Sequence, residues 1–280
     1  MLETFVTTPV GKVRTLRSGP ASAERAVLCW PGMGLTAEEF HQFLREGDAR
    51  GVAVLAVDPP GHGRSDPAPG IEWADVAAIV RDVAAALPAA HLLLVGHTAG
   101  ATALLFGAQG LPRRVAGIVL GDGGFLEGAQ SDDLELRRQN EEWYEHLTYP
   151  DWDTCMAAAR SELKAWNTDI EAGILDLFAT TPEGKVRPRG DLETMIRWAQ
   201  LLRDYRPQEA PALSVPALAL WATEVQSSEP AGIAALRDRL PHLQAQCLVG
   251  SGHELFWDKP EAASLAVWNF FDAGCRWQDA

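Results

Sequence analysis

The heptapeptide Leu94-Val95-Gly96-His97-Thr98-Ala99-Gly100 joins an apolar run, 91–95, to a helix-forming stretch, Ala99–Gln109. Glycine two places before and two places after a central residue, at a strand-to-helix junction, is the pattern of a nucleophile elbow. The central residue of such a turn is held in a strained conformation, where side chains on its flanks would collide with neighbouring elements. The helix that follows aims its free amides and positive dipole end at developing negative charge. Here the central residue is Thr98.

Outward from the elbow, short apolar runs alternate with amphipathic stretches. Residues 26–30, 52–57, 91–95 and 115–120 are apolar nearly throughout, as strands buried on both faces of a parallel sheet must be. Segments 37–46, 73–87 and 99–109 read as the helices between them. The alternation predicts right-handed crossovers and an open α/β sheet. Residues 3–8 and 10–17 predict an opening hairpin turned at Pro9–Gly11. From 125 to 210 strand character disappears. Residues 134–147, 152–166, 170–178 and 192–204 predict helices, punctuated by Pro150, Pro182 and Pro188. Strands return at 215–221 and 244–249, and a last helix spans 260–271. The expected organisation is an α/β core, 1–124 and 211–280, interrupted by an all-helical insertion at 125–210.

With 280 residues, 47% hydrophobic and 22% charged, the chain has the composition of a globular protein with a large core. The 24 Lys+Arg against 38 Asp+Glu leave a formal charge of −14. Such a surface repels phosphate backbones and anionic membranes, so neither nucleic acid nor membrane is an expected partner. The four cysteines show no paired spacing and suit a reducing, cytoplasmic setting. No signal segment and no membrane-spanning run is visible. A monomer or homodimer is expected.

Four landmarks in order resemble the α/β-hydrolase superfamily over nearly the whole chain. They are the elbow, Trp30-Pro31-Gly32-Met33-Gly34 at the oxyanion loop, Asp58-Pro59-Pro60-Gly61-His62-Gly63-Arg64-Ser65-Asp66 after a strand, and Gly250-Ser251-Gly252-His253 before the final helix. The resemblance implies an α/β-hydrolase fold with a helical cap after strand six. It also implies His253 as the catalytic base, and an oxyanion hole from the backbone amides of Met33 and Ala99. His97 then points away from the pocket, and His62 steadies its own loop.

Two departures from the family stand out. Thr98 occupies a position where Ser, Cys or Asp is usual. A β-branched residue at positive φ is strained by about 1–3 kcal/mol, and its methyl crowds an approaching carbonyl carbon. Its Oγ can still be deprotonated by a histidine. Thr98 is therefore either a nucleophile or a hydrogen-bonding or relic residue. The family's usual acid, four residues after strand seven, would be Val225 here. Asp122, at the end of strand six where one branch of the haloalkane dehalogenases carries its acid, is the preferred substitute. Glu224 is the second candidate.

Ten tryptophans are present. Trp30, Trp143, Trp152 and Trp166 are expected to contact a hydrophobic small-molecule substrate, although any one could simply fill the insertion's own core. No nucleotide fingerprint, P-loop, HExxH or other metal-ligand pattern occurs, so no cofactor or metal is implied. The expected activity is cofactor-independent hydrolysis of an ester, lactone or thioester. The alternatives are a lyase, cyclase or isomerase using His253 as acid/base, or a non-catalytic ligand binder.

Overall fold

The computed structural model describes residues 1–111, 113–128 and 131–275. The remaining positions, 112 and 276–280 of the expected core and 129–130 within the expected insertion, lie outside the described residues. The opening hairpin forms as β1 (Leu2–Thr8) and β2 (Gly11–Ser18), followed by β3 (Arg25–Trp30), α1 (His41–Arg50) and β4 (Ala53–Val57). Next come α2 (Trp73–Ala84), β5 (His91–His97), α3 (Ala99–Gly107) and β6 (Val115–Gly121). Strands β3 through β6 are buried along almost their whole length, and this is why each is apolar without alternation.

The segment between β6 and the next sheet strand carries α4 (Asp133–His146), α5 (Trp152–Glu162), α6 (Thr168–Leu177) and α7 (Leu192–Asp204). Each begins at an Asp or Asn whose side chain accepts a backbone amide of the first turn: Asp132, Asp151, Asn167 and Asp191. The expectation of an all-helical insertion needs correction, because β7 (Phe178–Thr180) and β8 (Val186–Pro188) pair as a short antiparallel ribbon. The turn between them passes through Gly184 at φ 85°, a conformation that costs glycine nothing. Three-residue strands are too short to show a period of two in the sequence.

The chain closes with β9 (Ala217–Ala222), α8 (Ala231–Arg237), β10 (Leu243–Leu248), the single turn α9 (Leu255–Asp258) and α10 (Pro260–Ala273). The eight-stranded sheet has the order β1-β2-β4-β3-β5-β6-β9-β10. Only the β1–β2 and β2–β4 pairs are antiparallel. This is the mostly parallel, helix-flanked sheet of an α/β-hydrolase fold. Two apolar clusters cover its faces, and a third forms within the insertion around Cys155, Ile170, Ile174 and Phe178. Helix α7 departs from the expected division, since Trp198 and Leu201 pack into the sheet's own core and not into the insertion's. No helix among the described residues is long and apolar enough to cross a membrane.

Candidate active site

Thr98 connects β5 to α3 with φ 43° and ψ −111°. Asp122, at φ 39°, is the only other non-glycine at positive φ among the described residues. The glycines around them explain the crowding. A Cβ on Gly96 would stand 2.5 Å from the backbone of Ala101, and one on Gly100 would overlap the Trp30 carbonyl. A Cβ on Gly123 would run into the backbone of Thr98 itself. The elbow is thus clamped between β3 and the end of β6, and this packing sustains the strain at its centre.

His253 lies in the loop between β10 and α9. Its Nδ1 is 2.6 Å from Asp122 Oδ2, while Asp122 Oδ1 accepts the amide of Ala222 at 3.2 Å. Glu224 does not join them. Its carboxylate pairs with Lys164 at the surface, so its extra methylene is directed at the insertion and not at the imidazole. Of the two carboxylates expected to orient His253, only Asp122 meets it.

The Thr98 side chain is turned so that its methyl fills the space where a Cβ on Gly32 would be, beside the oxyanion loop. Its hydroxyl makes no hydrogen bond to His253 or to any other described residue. The amides of Met33 and Ala99 likewise have no partner among the described residues.

Two hollows flank this point. A cavity of about 190 Å³ is bounded by Met33, Gly34 and Leu35 of the oxyanion loop and by Trp143, Tyr149 and Phe178 of the insertion. Trp257 and Glu254 close it beside His253. A smaller recess of about 120 Å³ contains Thr98, Ala99, Gly123 and Tyr205. The larger cavity is mainly apolar. Its charged lining consists of Glu162 and Glu254, with no Lys, Arg or His among the described residues.

Of the four tryptophans expected at the substrate, only Trp143 lines the cavity. Trp30 is buried in β3 with its ring edge-on to Trp198, 6.4 Å between centroids. Trp152 donates to Thr180 Oγ1 at 3.0 Å, and Trp166 donates to Glu171 at 3.2 Å beneath the Arg160 guanidinium. These three lie outside the lining of that cavity. Trp257 does line the cavity, yet in the sequence its stretch reads only as the approach to the last helix.

Glu39 and Glu254 are the other residues that sequence reasoning missed. Two adjacent acids in a short turn, Glu38-Glu39, look like a solvated face, but both are buried. Glu39 Oε1 lies 2.6 Å from Nδ1 of the fully buried His97. Burial alone would lower the His97 pKa, but the charge and hydrogen bonding of Glu39 outweigh it and raise it to about 10. Glu254 Oε2 is 4.0 Å from the same nitrogen. Burial, and then Glu39, push the Glu254 carboxyl upward against the pull of His97. The three side chains bring their ligand atoms within 4.8 Å of one another, a grouping no sequence spacing announces. At 2.6 Å the His97–Glu39 contact is closer than two ligands of one zinc ion would stand, and fits an ion pair better than a shared metal ion. His62 is neutral by burial, its pKa lowered to about 4, and its Nδ1 meets the Pro60 carbonyl of its own loop at 3.0 Å.

Comparison with known proteins agrees with this architecture. The chain is 27% identical over 230 residues to a 2-(acetamidomethylene)succinate hydrolase of Mesorhizobium japonicum, a match covering 79% of this chain and 78% of that one. A crystal structure of E-2-(acetamidomethylene)succinate hydrolase superposes with a TM-score of 0.76 at 20% identity, covering 97% of this chain and 99% of the other. The thioesterase domain from the curacin biosynthetic pathway superposes with a TM-score of 0.75 at 18% identity, covering 96% and 99%. Likenesses at such identities speak for the fold. The model of the alpha/beta hydrolase family matches residues 27–266, from β3 into α10 and so through the elbow, Asp122 and His253, and the chain belongs to that family.

Proposed function

We propose that the protein is a cofactor-independent hydrolase of an ester, lactone or thioester in a neutral, apolar small molecule. The observation that carries this reading is the 2.6 Å contact between Asp122 and His253, beside a strained elbow. In the proposed mechanism Asp122 holds the His253 imidazole in one tautomer, and His253 takes the Thr98 hydroxyl proton as Oγ1 attacks the acyl carbon. The amides of Met33 and Ala99 hold the oxyanion, and His253 returns the proton to the leaving group. Water then repeats the cycle on the acyl-threonine. The insertion acts as a cap over the cavity.

The hydrolase of Mesorhizobium japonicum is named for a succinate, which carries two carboxylates. A cavity whose charged lining is Glu162 and Glu254 would repel such a ligand. The apolar wall formed by Trp143, Tyr149, Phe178 and Trp257 favours an uncharged acyl or alkyl group instead.

One observation favours a second reading. The Thr98 methyl occupies the space next to Gly32, and the hydroxyl is not hydrogen-bonded to His253. In a lyase, cyclase or isomerase Thr98 would only donate to the substrate, and His253 would move the proton alone. Rates on a panel of p-nitrophenyl esters and thioesters, for the native chain, Thr98→Ser, Thr98→Ala and His253→Ala, separate the two. Nucleophilic hydrolysis requires loss in both alanine variants and a gain of about tenfold or more in Thr98→Ser, where the crowding methyl is gone. Turnover that survives Thr98→Ala but not His253→Ala supports the second reading.

A further inference from the structure

Three separate loops must be aligned for the proposed chemistry: the elbow, the turn at Gly32–Gly34 and the loop carrying His253. One interior pair of side chains touches all three. His97 belongs to the elbow, and its Nε2 donates to the His253 carbonyl at 2.8 Å. Its Nδ1 faces Glu39 Oε1 at 2.6 Å. Glu39 Oε2 in turn accepts the amide of Gly32 at 3.3 Å. The carboxylate 2.6 Å from Nδ1 and the carbonyl 2.8 Å from Nε2 favour the charged form of the imidazole, whose pKa is raised to about 10. Neither side chain lines either hollow at the site, so neither touches a reacting atom.

We propose that the Glu39–His97 ion pair is a positioning device that holds the elbow, the oxyanion turn and His253 in register. The pair sits behind the site, where water cannot substitute for it, and its strength in a low-dielectric interior depends on both partners. A shift of about 1 Å in one catalytic loop is enough to cost on the order of a hundredfold in rate. The inference rests on the reading of His253 as the proton carrier.

The test uses the full chain with p-nitrophenyl butyrate and the variants His97→Gln, His97→Asn and Glu39→Gln. The glutamine amide nitrogen falls near the place of ring Nε2 and can still donate to the His253 carbonyl. The asparagine amide nitrogen falls near Nδ1 and cannot. The expected result is a kcat loss of about 10–100-fold in His97→Asn with KM within about threefold, and recovery of most of that loss in His97→Gln. Glu39→Gln is expected to lose about tenfold in kcat, and it judges the proposal if His97→Asn fails to fold.

Amide hydrogen exchange of residues 32–35 and 252–255, measured without substrate, should be about tenfold faster in His97→Asn than in the native chain. Equal kcat in the Gln and Asn variants, full activity in Glu39→Gln, or unchanged exchange in both loops would overturn the proposal. If the native chain hydrolyses no ester, the hydrolase reading fails, while the exchange measurement still decides whether the pair aligns the loops.

Discussion

Asp122 is the residue on which the site's geometry turns. It holds a positive φ of 39°, which an aspartate tolerates better than most side chains because its short polar group can bond locally. Asparagine tolerates the same backbone for the same reason, so Asp122→Asn should leave the fold intact. It removes the carboxylate in contact with His253 Nδ1, and on the proposed mechanism kcat is expected to fall about 10³–10⁴-fold with little change in melting temperature. Glu224→Gln, at a surface ion pair, should stay within about twofold. Measuring kcat and Tm for both variants checks the assignment, and a larger loss in Glu224→Gln would reverse it. Thr98 is less well suited to its place. Its φ of 43° costs about 1–3 kcal/mol that a residue without a branched Cβ would partly avoid, and the close packing of the neighbouring backbone at Gly96, Gly100 and Gly123 sustains that cost.

Helix α3 and strand β3 meet at Gly100, whose α-carbon faces the Trp30 carbonyl with no room for a further atom. Gly100→Ala should cost about 1–3 kcal/mol by prising the elbow from β3, measurable by urea unfolding. This contact was legible in the sequence as the second glycine of the elbow. The central strands were equally legible, because burial on both faces leaves an apolar run that no solvent-facing element shares. The insertion was harder to read. Its helices announced themselves through periodicity, and Asp132, Asp151, Asn167 and Asp191 marked their starts. The β7–β8 ribbon did not, because its pairing depends on the Tyr149 backbone and a Gly184 turn more than on its own side chains. At the site, Thr98 and Asp122 directly follow strands and His253 lies in the loop after β10, so order along the chain pointed to them, but it left Asp122 and Glu224 both open until the 2.6 Å contact of Asp122 with His253 was seen. Glu39, Glu254 and Trp257 could not be found that way. Their importance comes from burial against residues distant in sequence, and single-chain spacing carries no record of that.

Across the whole molecule, the insertion meets the sheet through charge as well as apolar contact. Asp176 of α6 and Glu38 both pair with Arg14 of β2, at 3.1 and 2.7 Å, and Asp58 lies 3.3 Å from the same guanidinium. Arg64 also reaches Asp176, and Glu3 completes the group at the surface end. The carboxylates outnumber the guanidiniums. Burial first, and Glu38 second, push the Asp176 carboxyl up to about 6, against Arg14 and Arg64. A carboxyl raised from its ordinary 3.8 contributes stability below that value and loses it as pH rises through about 6. Glu38 is shifted the other way, so its contribution changes only at more acidic pH. As pH rises from about 4 to 6 the melting temperature is therefore expected to carry a drop from Asp176, set against a rise from His62, whose pKa is lowered to about 4. The drop should be smaller in Asp176→Asn, which keeps the shape without the excess charge. Parallel curves for the two proteins would count against this origin of the pH dependence.

On the other side of the insertion, the Trp143 indole lies so close over Gly34 that a Cβ there would stand 2.8 Å from the ring. The ring rests on bare backbone, immediately beside the amide of Met33. The insertion and the turn at Gly32–Gly34 therefore share one contact, and a displacement of α4 that carried Trp143 away would uncover the backbone beside the Met33 amide.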